Sequence, residues 1–174
     1  AATGNLAASV ERSLILQQRP SIEIIEKPLP AVRLAAGTGV VAEQPEVAGV
    51  VGPLFDKLGE VLADAGASLK TPIAQYDVGG SGLRITAGYA YDGAPLPGTE
   101  IIELAPIEYA ICGIHLGSMD RIAESWQAIH AAIIARGRTP NGACRELYVR
   151  TESEDQSDWV TELQQPVSGT DGAV

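Results

Sequence analysis

The hydrophobic rhythm of the chain divides it into two runs of the same order. From Glu23, the stretch EIIEKPLPAVRLAAGTGVV alternates apolar and polar positions around prolines, and from Glu100 EIIELAPIEYAICGIHLGS does the same. Both read as strand, proline-containing turn, strand. The copies lie 77 residues apart without a gap, setting Val32 on Tyr109, Leu34 on Ile111 and Ala36 on Gly113. Four identical residues followed by matching periodicity over about 17 positions mark an internal repeat.

Each copy runs into a helical pattern. In the first, Leu54, Leu58, Val61, Leu62 and Ala65 recur at helical spacing, with Pro53 at the first helical position and Gly66 as the cap; a turn of Val47, Val50 and Val51 extends it if Gly49, Gly52 and Pro53 allow. In the second, Ser118 is the N-cap, Asp120 suits the first turn, Ile122, Trp126, Ile129 and Ile133 form one stripe, and Gly137 ends it. Thr71-Pro72 and Thr139-Pro140 follow the two helices and lead into strands. These are IAQYDV and LRITAGYAY around a Gly79–Gly82 hairpin turn, then CRELYVR and WVTELQQ around the acidic loop TESEDQS.

Each half therefore reads β-β-α-β-β, over about 21–92 and 99–167. The expected class is α+β: two antiparallel half-sheets with both helices on one face, related by a pseudo-twofold axis. A cleft at the junction of the halves is the natural place for a ligand. Residues 1–20 carry Leu6, Val10 and Leu14 four apart and read as a connector helix or tail, while 168–174 read as a flexible end.

Composition narrows the function classes. The 174 residues form about one domain, and 45% hydrophobic with 20% charged residues is the composition of a folded chain. A formal charge of −10 repels phosphates, so this chain by itself is not expected to grip nucleic acid. Two cysteines make no framework; Cys112 lies in an apolar run and reads as a small buried thiol. With no leader-like start and no apolar stretch near the ~20 residues that span a bilayer, the expected compartment is the cytoplasm. The start at Ala1 rather than methionine reads as a fragment or processed product.

The chemistry begins with absences: no phosphate-binding glycine loop, no metal-ligand spacing and no nucleophile triad, so neither cofactor nor metal is expected. His115 and His130 read as ordinary partly buried or surface histidines. Aromatic residues and carboxylates remain. Tyr89 and Tyr91 share a strand face with Leu83, Ile85 and Ala87, and Trp126 lies in the helix stripe. Alternation places Tyr148 opposite Leu147 and Val149, and Glu162 opposite Trp159 and Leu163, making both candidates for one side of a hairpin. Alternation leaves open whether Glu162 faces water or a ligand, because register is not visible in it. A carboxylate among tyrosines and a tryptophan suits a lipophilic cation, through charge pairing and cation–π contact.

The tandem plan, the SW…RG helix, RELYVR and the closing DWVTELQQPV together resemble the GyrI-like small-molecule-binding family, over roughly Ser21 to Val167. Its members serve as effector-binding domains of MerR- and AraC-type transcription regulators and as free-standing proteins. The resemblance implies that Glu162, in the W-x-T-E-L strand, lies in the central cavity, with Tyr148 from the E-x-Y strand and Trp126 from the helix. Tyr76, Tyr89 and Tyr91 join them from their strand positions. The implied function is a sensor of a cationic or aromatic amphipathic molecule, coupled to DNA only through an N-terminal domain outside this chain. Two alternatives come with the resemblance: a hydrolase of strained electrophilic toxins using Glu162 and Tyr148, and a gyrase-binding protective protein.

Overall fold

The structure is a computed structural model, and it describes residues 22–43, 46–80 and 82–169. The helix expected over 1–20 and the chain beyond 169 lie outside these. The elements run β1 (Ile24–Leu29), β2 (Val32–Val41), α1 (Ala48–Asp64), β3 (Ile73–Gly79) and β4 (Gly82–Ala90), then β5 (Glu100–Leu104), β6 (Ile107–Leu116), α2 (Ile122–Ala135), β7 (Cys144–Arg150) and β8 (Val160–Pro166). The class is α+β, and the order β-β-α-β-β occurs twice, as the repeat predicts.

The strands make one eight-stranded sheet in the order β1-β6-β8-β7-β3-β4-β2-β5. Every ladder is antiparallel. Replacing each strand by its counterpart in the other half reverses this order, so the pseudo-twofold axis passes between β3 and β7. The sheet differs from two separate half-sheets in two respects: β3 and β7 join the halves, and the first strand of each half is exchanged. β1 pairs with β6, and β5 pairs with β2. The links explain this. Only Pro30-Ala31 and Ala105-Pro106 separate the strands, and a two-residue hairpin needs residues that accept positive φ, which proline cannot. The chain therefore runs on extended into the other half.

Both helices end as their glycines predict, with Gly66 at φ 70° and Gly137 at φ 63°. α1 starts earlier than a proline at the first position implies, and Pro53 lies inside it. The turn before Pro53 carries Gly49 and Gly52, which have open space where a Cβ would stand, so no packing opposes the distortion a helix proline brings. Ser118 caps the short 3-10 turn Met119–Arg121, accepting from the Asp120 amide (3.3 Å), and this turn feeds α2. Leu58 and Leu62 on α1, and Ile129 and Ile133 on α2, are the buried apolar positions. These pairs, like Gly66 and Gly137, are 71 positions apart, and the same spacing carries Phe55 onto Trp126.

The ladders define two faces. One row across the sheet runs Gly37, Ala87, Ala74, Glu146, Leu163, Gly113, Ile24. It points at the helices: Leu163 packs with Ile129 and Ile133, and a Cβ on Gly37 would stand 3.0 Å from Leu54. The next row runs Ala36, Gly88, Ile73, Leu147, Glu162, Ile114 and faces away from them. Leu34 and Ala36 build an apolar cluster on that side with Ile73 and Leu104, and Cys112, 1% exposed, belongs to another with Leu29 and Ala110.

These rows correct the ungapped repeat. Leu34 shares the helix-free face with Ala36, whereas Ile111 shares the helix face with Gly113, so the offset of 77 pairs residues on opposite sides. The β1–β6 register shifts between Lys27 and Leu29, while β5–β2 runs unbroken. β6 carries the extra residue, Glu108 and Tyr109 standing against Pro28 alone; this is a bulge, and one residue is enough to exchange every later side chain of the strand between faces. In β2 and β6 the structural equivalents are Gly37 with Gly113 and Gly39 with His115. Among the described residues no helix is long and apolar enough to cross a membrane.

Candidate functional site

α1 lies over β2 and β4, and α2 over β6. The central strands β3 and β7 therefore have no helix directly above them, and their helix-facing side chains meet at the pseudo-twofold axis. There the sequence places Tyr76 on β3, and Glu146 and Tyr148 on β7. The equivalent helix positions Phe55 and Trp126 reach them from either side.

Glu146 is the centre of this group and is 6% exposed. Its Oε2 accepts hydrogen bonds from the Tyr148 hydroxyl (2.7 Å) and the Tyr76 hydroxyl (3.0 Å). Its Oε1 accepts from Trp126 Nε1 (3.2 Å). The two tyrosine oxygens are themselves 3.2 Å apart. Phe55 stands edge-on to both Tyr148 (ring centroids 5.5 Å) and Tyr89 (5.4 Å), and extends the aromatic wall onto β4. No lysine, arginine or histidine makes an ion pair with Glu146 among the described residues.

Burial pushes the Tyr76 and Tyr148 hydroxyls far above the ordinary tyrosine range, and the Glu146 charge adds to it. Both therefore stay protonated and act as donors. The Cys144 thiol, paired across the ladder with Tyr76, is pushed up to about 11, by burial first and then by Glu146. The arrangement is a desolvated negative charge held by three neutral donors and walled by rings. Neutral donors stabilise a carboxylate without cancelling its charge, so attraction for a cation remains.

Of the residues singled out in the sequence, Tyr76, Tyr148 and Trp126 touch Glu146, and Tyr89 joins through Phe55. Tyr91 lies past the end of β4, where its carbonyl accepts from Arg33 Nη1 (2.6 Å). Glu162 is on the other face. β7 and β8 pair Tyr148 with Thr161 and Leu147 with Glu162, so Tyr148 and Glu162 point to opposite sides of the sheet rather than to one. There Glu162 makes an ion pair with Lys27 (2.7 Å) and accepts from Gln164 Nε2 (2.9 Å). His115 is buried and fixed by Ser125 (2.7 Å) and the Ser118 carbonyl (2.9 Å). Among the described residues no group of three or more His, Cys, Asp or Glu could hold a metal ion.

Two members of the site escaped the sequence reading, Glu146 and Phe55. Both left a signal: Glu146 is two residues before Tyr148, hence on its strand face, and Phe55 is three and seven residues before Leu58 and Leu62, hence on their helix face.

No family model matches the chain, and no curated protein matches it. Solved structures do. The C-terminal domain of EcmrR aligns over 84% of this chain and 98% of its own, with TM-score 0.65 and 16% identity. The fold is that of the GyrI-like domains. In the EcmrR–DNA complex the match covers 95% of this chain but 66% of EcmrR, at TM-score 0.67 and 15% identity. SAV2435, in a structure with tetraphenylphosphonium bound, matches over 84% of this chain and 94% of its own (TM-score 0.63, 14% identity). A hydrolase from Listeria innocua matches over 91% of this chain and 98% of its own (TM-score 0.59, 10% identity). At such identities the likeness is one of fold, and the GyrI-like fold sets both helices on one side of the sheet, flanking the axis where Glu146 lies.

Proposed function

We propose that the chain is a small-molecule-binding domain that takes a lipophilic, ring-bearing cation at Glu146, between Phe55 and Trp126. One observation carries this reading: a carboxylate 6% exposed, surrounded by aromatic side chains, with no cationic partner among the described residues. A buried charge without a counter-ion is costly, and a cation entering between the rings supplies one. The fold is shared with SAV2435, whose structure holds tetraphenylphosphonium, a cation without hydrogen-bond donors. It is also shared with the C-terminal domain of EcmrR, a protein whose complex with DNA is solved, which supports an effector-sensing role in a transcription regulator.

Calorimetric titration with tetraphenylphosphonium tests the reading. The chain binds it, and Glu146→Gln keeps the fold while losing about 2–5 kcal/mol of affinity, the usual effect of removing one partner of a buried charge pair. Absent binding, or equal affinity in the variant, would sink it.

A further inference from the structure

The pseudo-twofold axis makes each half a control for the other, and at one place the control fails. Where the chain enters β1, Ile22 is pressed against α2: a Cβ on Gly113 would stand 2.8 Å from Ile22 Cδ1 and 3.4 Å from Ile129. The space between helix and sheet is full. Where the chain enters β5, the register makes Thr99 the counterpart of Ile24 and Pro97 that of Ile22; Pro97 is exposed, and the Thr99 hydroxyl turns back to donate to the Leu96 carbonyl (2.9 Å). Gly98 before Thr99 takes φ 77° and carries no side chain. Beneath α1 this leaves a cavity of about 380 Å³, open on one side, over Gly37 and against Leu54 and Leu58. Lys57 and Glu100 line it and are exposed. They pair neither with each other nor with any other described residue.

The cavity is separate from the Glu146 site, since none of its lining residues belongs to that group. Leu54 and Leu58 give it an apolar patch, the threonines Thr38 and Thr99 a polar one, and its two charges are of opposite sign. We propose that it takes a small zwitterion with an apolar side chain, of the free amino-acid class. The carboxylate meets Lys57, the ammonium meets Glu100, and the side chain covers Leu54 and Leu58. A singly charged molecule of the same shape leaves one of the two charges unanswered, so both charges are needed.

The test is an amide NMR titration of the full chain with leucine, methionine and phenylalanine, and with isocaproate and isoamylamine as singly charged controls. At least one amino acid is expected to shift the amides of Gly37, Gly98 and Thr99, with the two controls far weaker. Thr99→Ile, which copies the filled half, abolishes the effect. Lys57→Gln and Glu100→Gln, at exposed positions that do not threaten the fold, each weaken it severalfold. Glu146→Gln leaves it unchanged, which separates this cavity from the central site. No shift with any of the three amino acids overturns the proposal. So does equal binding of a control, or retention of affinity in both charge variants.

Discussion

Glu146 and Glu162 occupy neighbouring strands of one hairpin, yet the sheet turns them to opposite sides and opposite fates. Glu162 looks away from the helices and meets Lys27, which the alternation of β1 sets on the same face, with Gln164 as a second partner. Its charge is answered within the chain. Glu146 looks toward the helices and meets only neutral donors, two hydroxyls and an indole N–H. Its charge is stabilised but not neutralised. Hydrogen bonds and counter-ions both stabilise a buried carboxylate, but only the first leaves a field for something else to satisfy. That difference, rather than burial alone, separates a structural acid from a receptive one.

The comparison breaks most sharply on binding. Glu146→Gln is expected to weaken tetraphenylphosphonium by about 2–5 kcal/mol, while Glu162→Gln leaves the affinity as it was; calorimetry giving the reverse order would exchange the two roles. Next comes the scaffold of the charge. Tyr148→Phe removes the shorter bond to Glu146 and is expected to cost about 1.5–3 kcal/mol in chemical denaturation, more than Tyr76→Phe. Equal costs would mean that the two hydroxyls are interchangeable.

Smaller effects belong to the other face. Glu162→Gln is expected to lower stability by about 1 kcal/mol, because Lys27 is partly solvated and keeps water as a partner. Lys27→Met in the same chain should recover that loss, and a double variant weaker than both single ones would contradict the pairing. The smallest effect is the pH dependence. The native state holds the Tyr76 and Tyr148 protons that the unfolded chain releases above about pH 10. Stability is therefore fully present below that pH and falls as pH rises toward the native values. Urea midpoints should fall less steeply with alkaline pH in Tyr76→Phe.

Much of the fold was legible because helices and repeats write themselves locally. The stripes of Leu58 and Leu62 and of Ile129 and Ile133, the glycine stops and the doubled β-β-α-β-β order all follow from spacing within one segment. Strand exchange was not legible, since nothing within Ile24–Leu29 names β6 as its neighbour. The faces were lost for the same reason. A single extra residue in β6, opposite Pro28, inverts that strand relative to β2, and an offset of 77 passes over it unseen. Tyr76, Tyr148 and Trp126 were found through their chemistry. Glu146 was passed over because a carboxylate inside RELYVR has the alternation of a solvated strand, and only the cross-strand neighbours Ala74 and Leu163 reveal the buried side.

The exchange of first strands has a consequence during synthesis. β1 leaves the ribosome long before β6, its one neighbour in the sheet among the described residues, has been made. Through that interval the nascent strand presents unpaired backbone donors and acceptors to any other chain nearby, and in the finished sheet it remains at the border. Its sequence carries three deterrents to such adhesion in consecutive positions: a lysine at Lys27, a proline at Pro28 that withholds a donor, and the irregular register up to Leu29. The residue that answers Glu162 in the folded molecule thus also guards the chain while it waits for its partner.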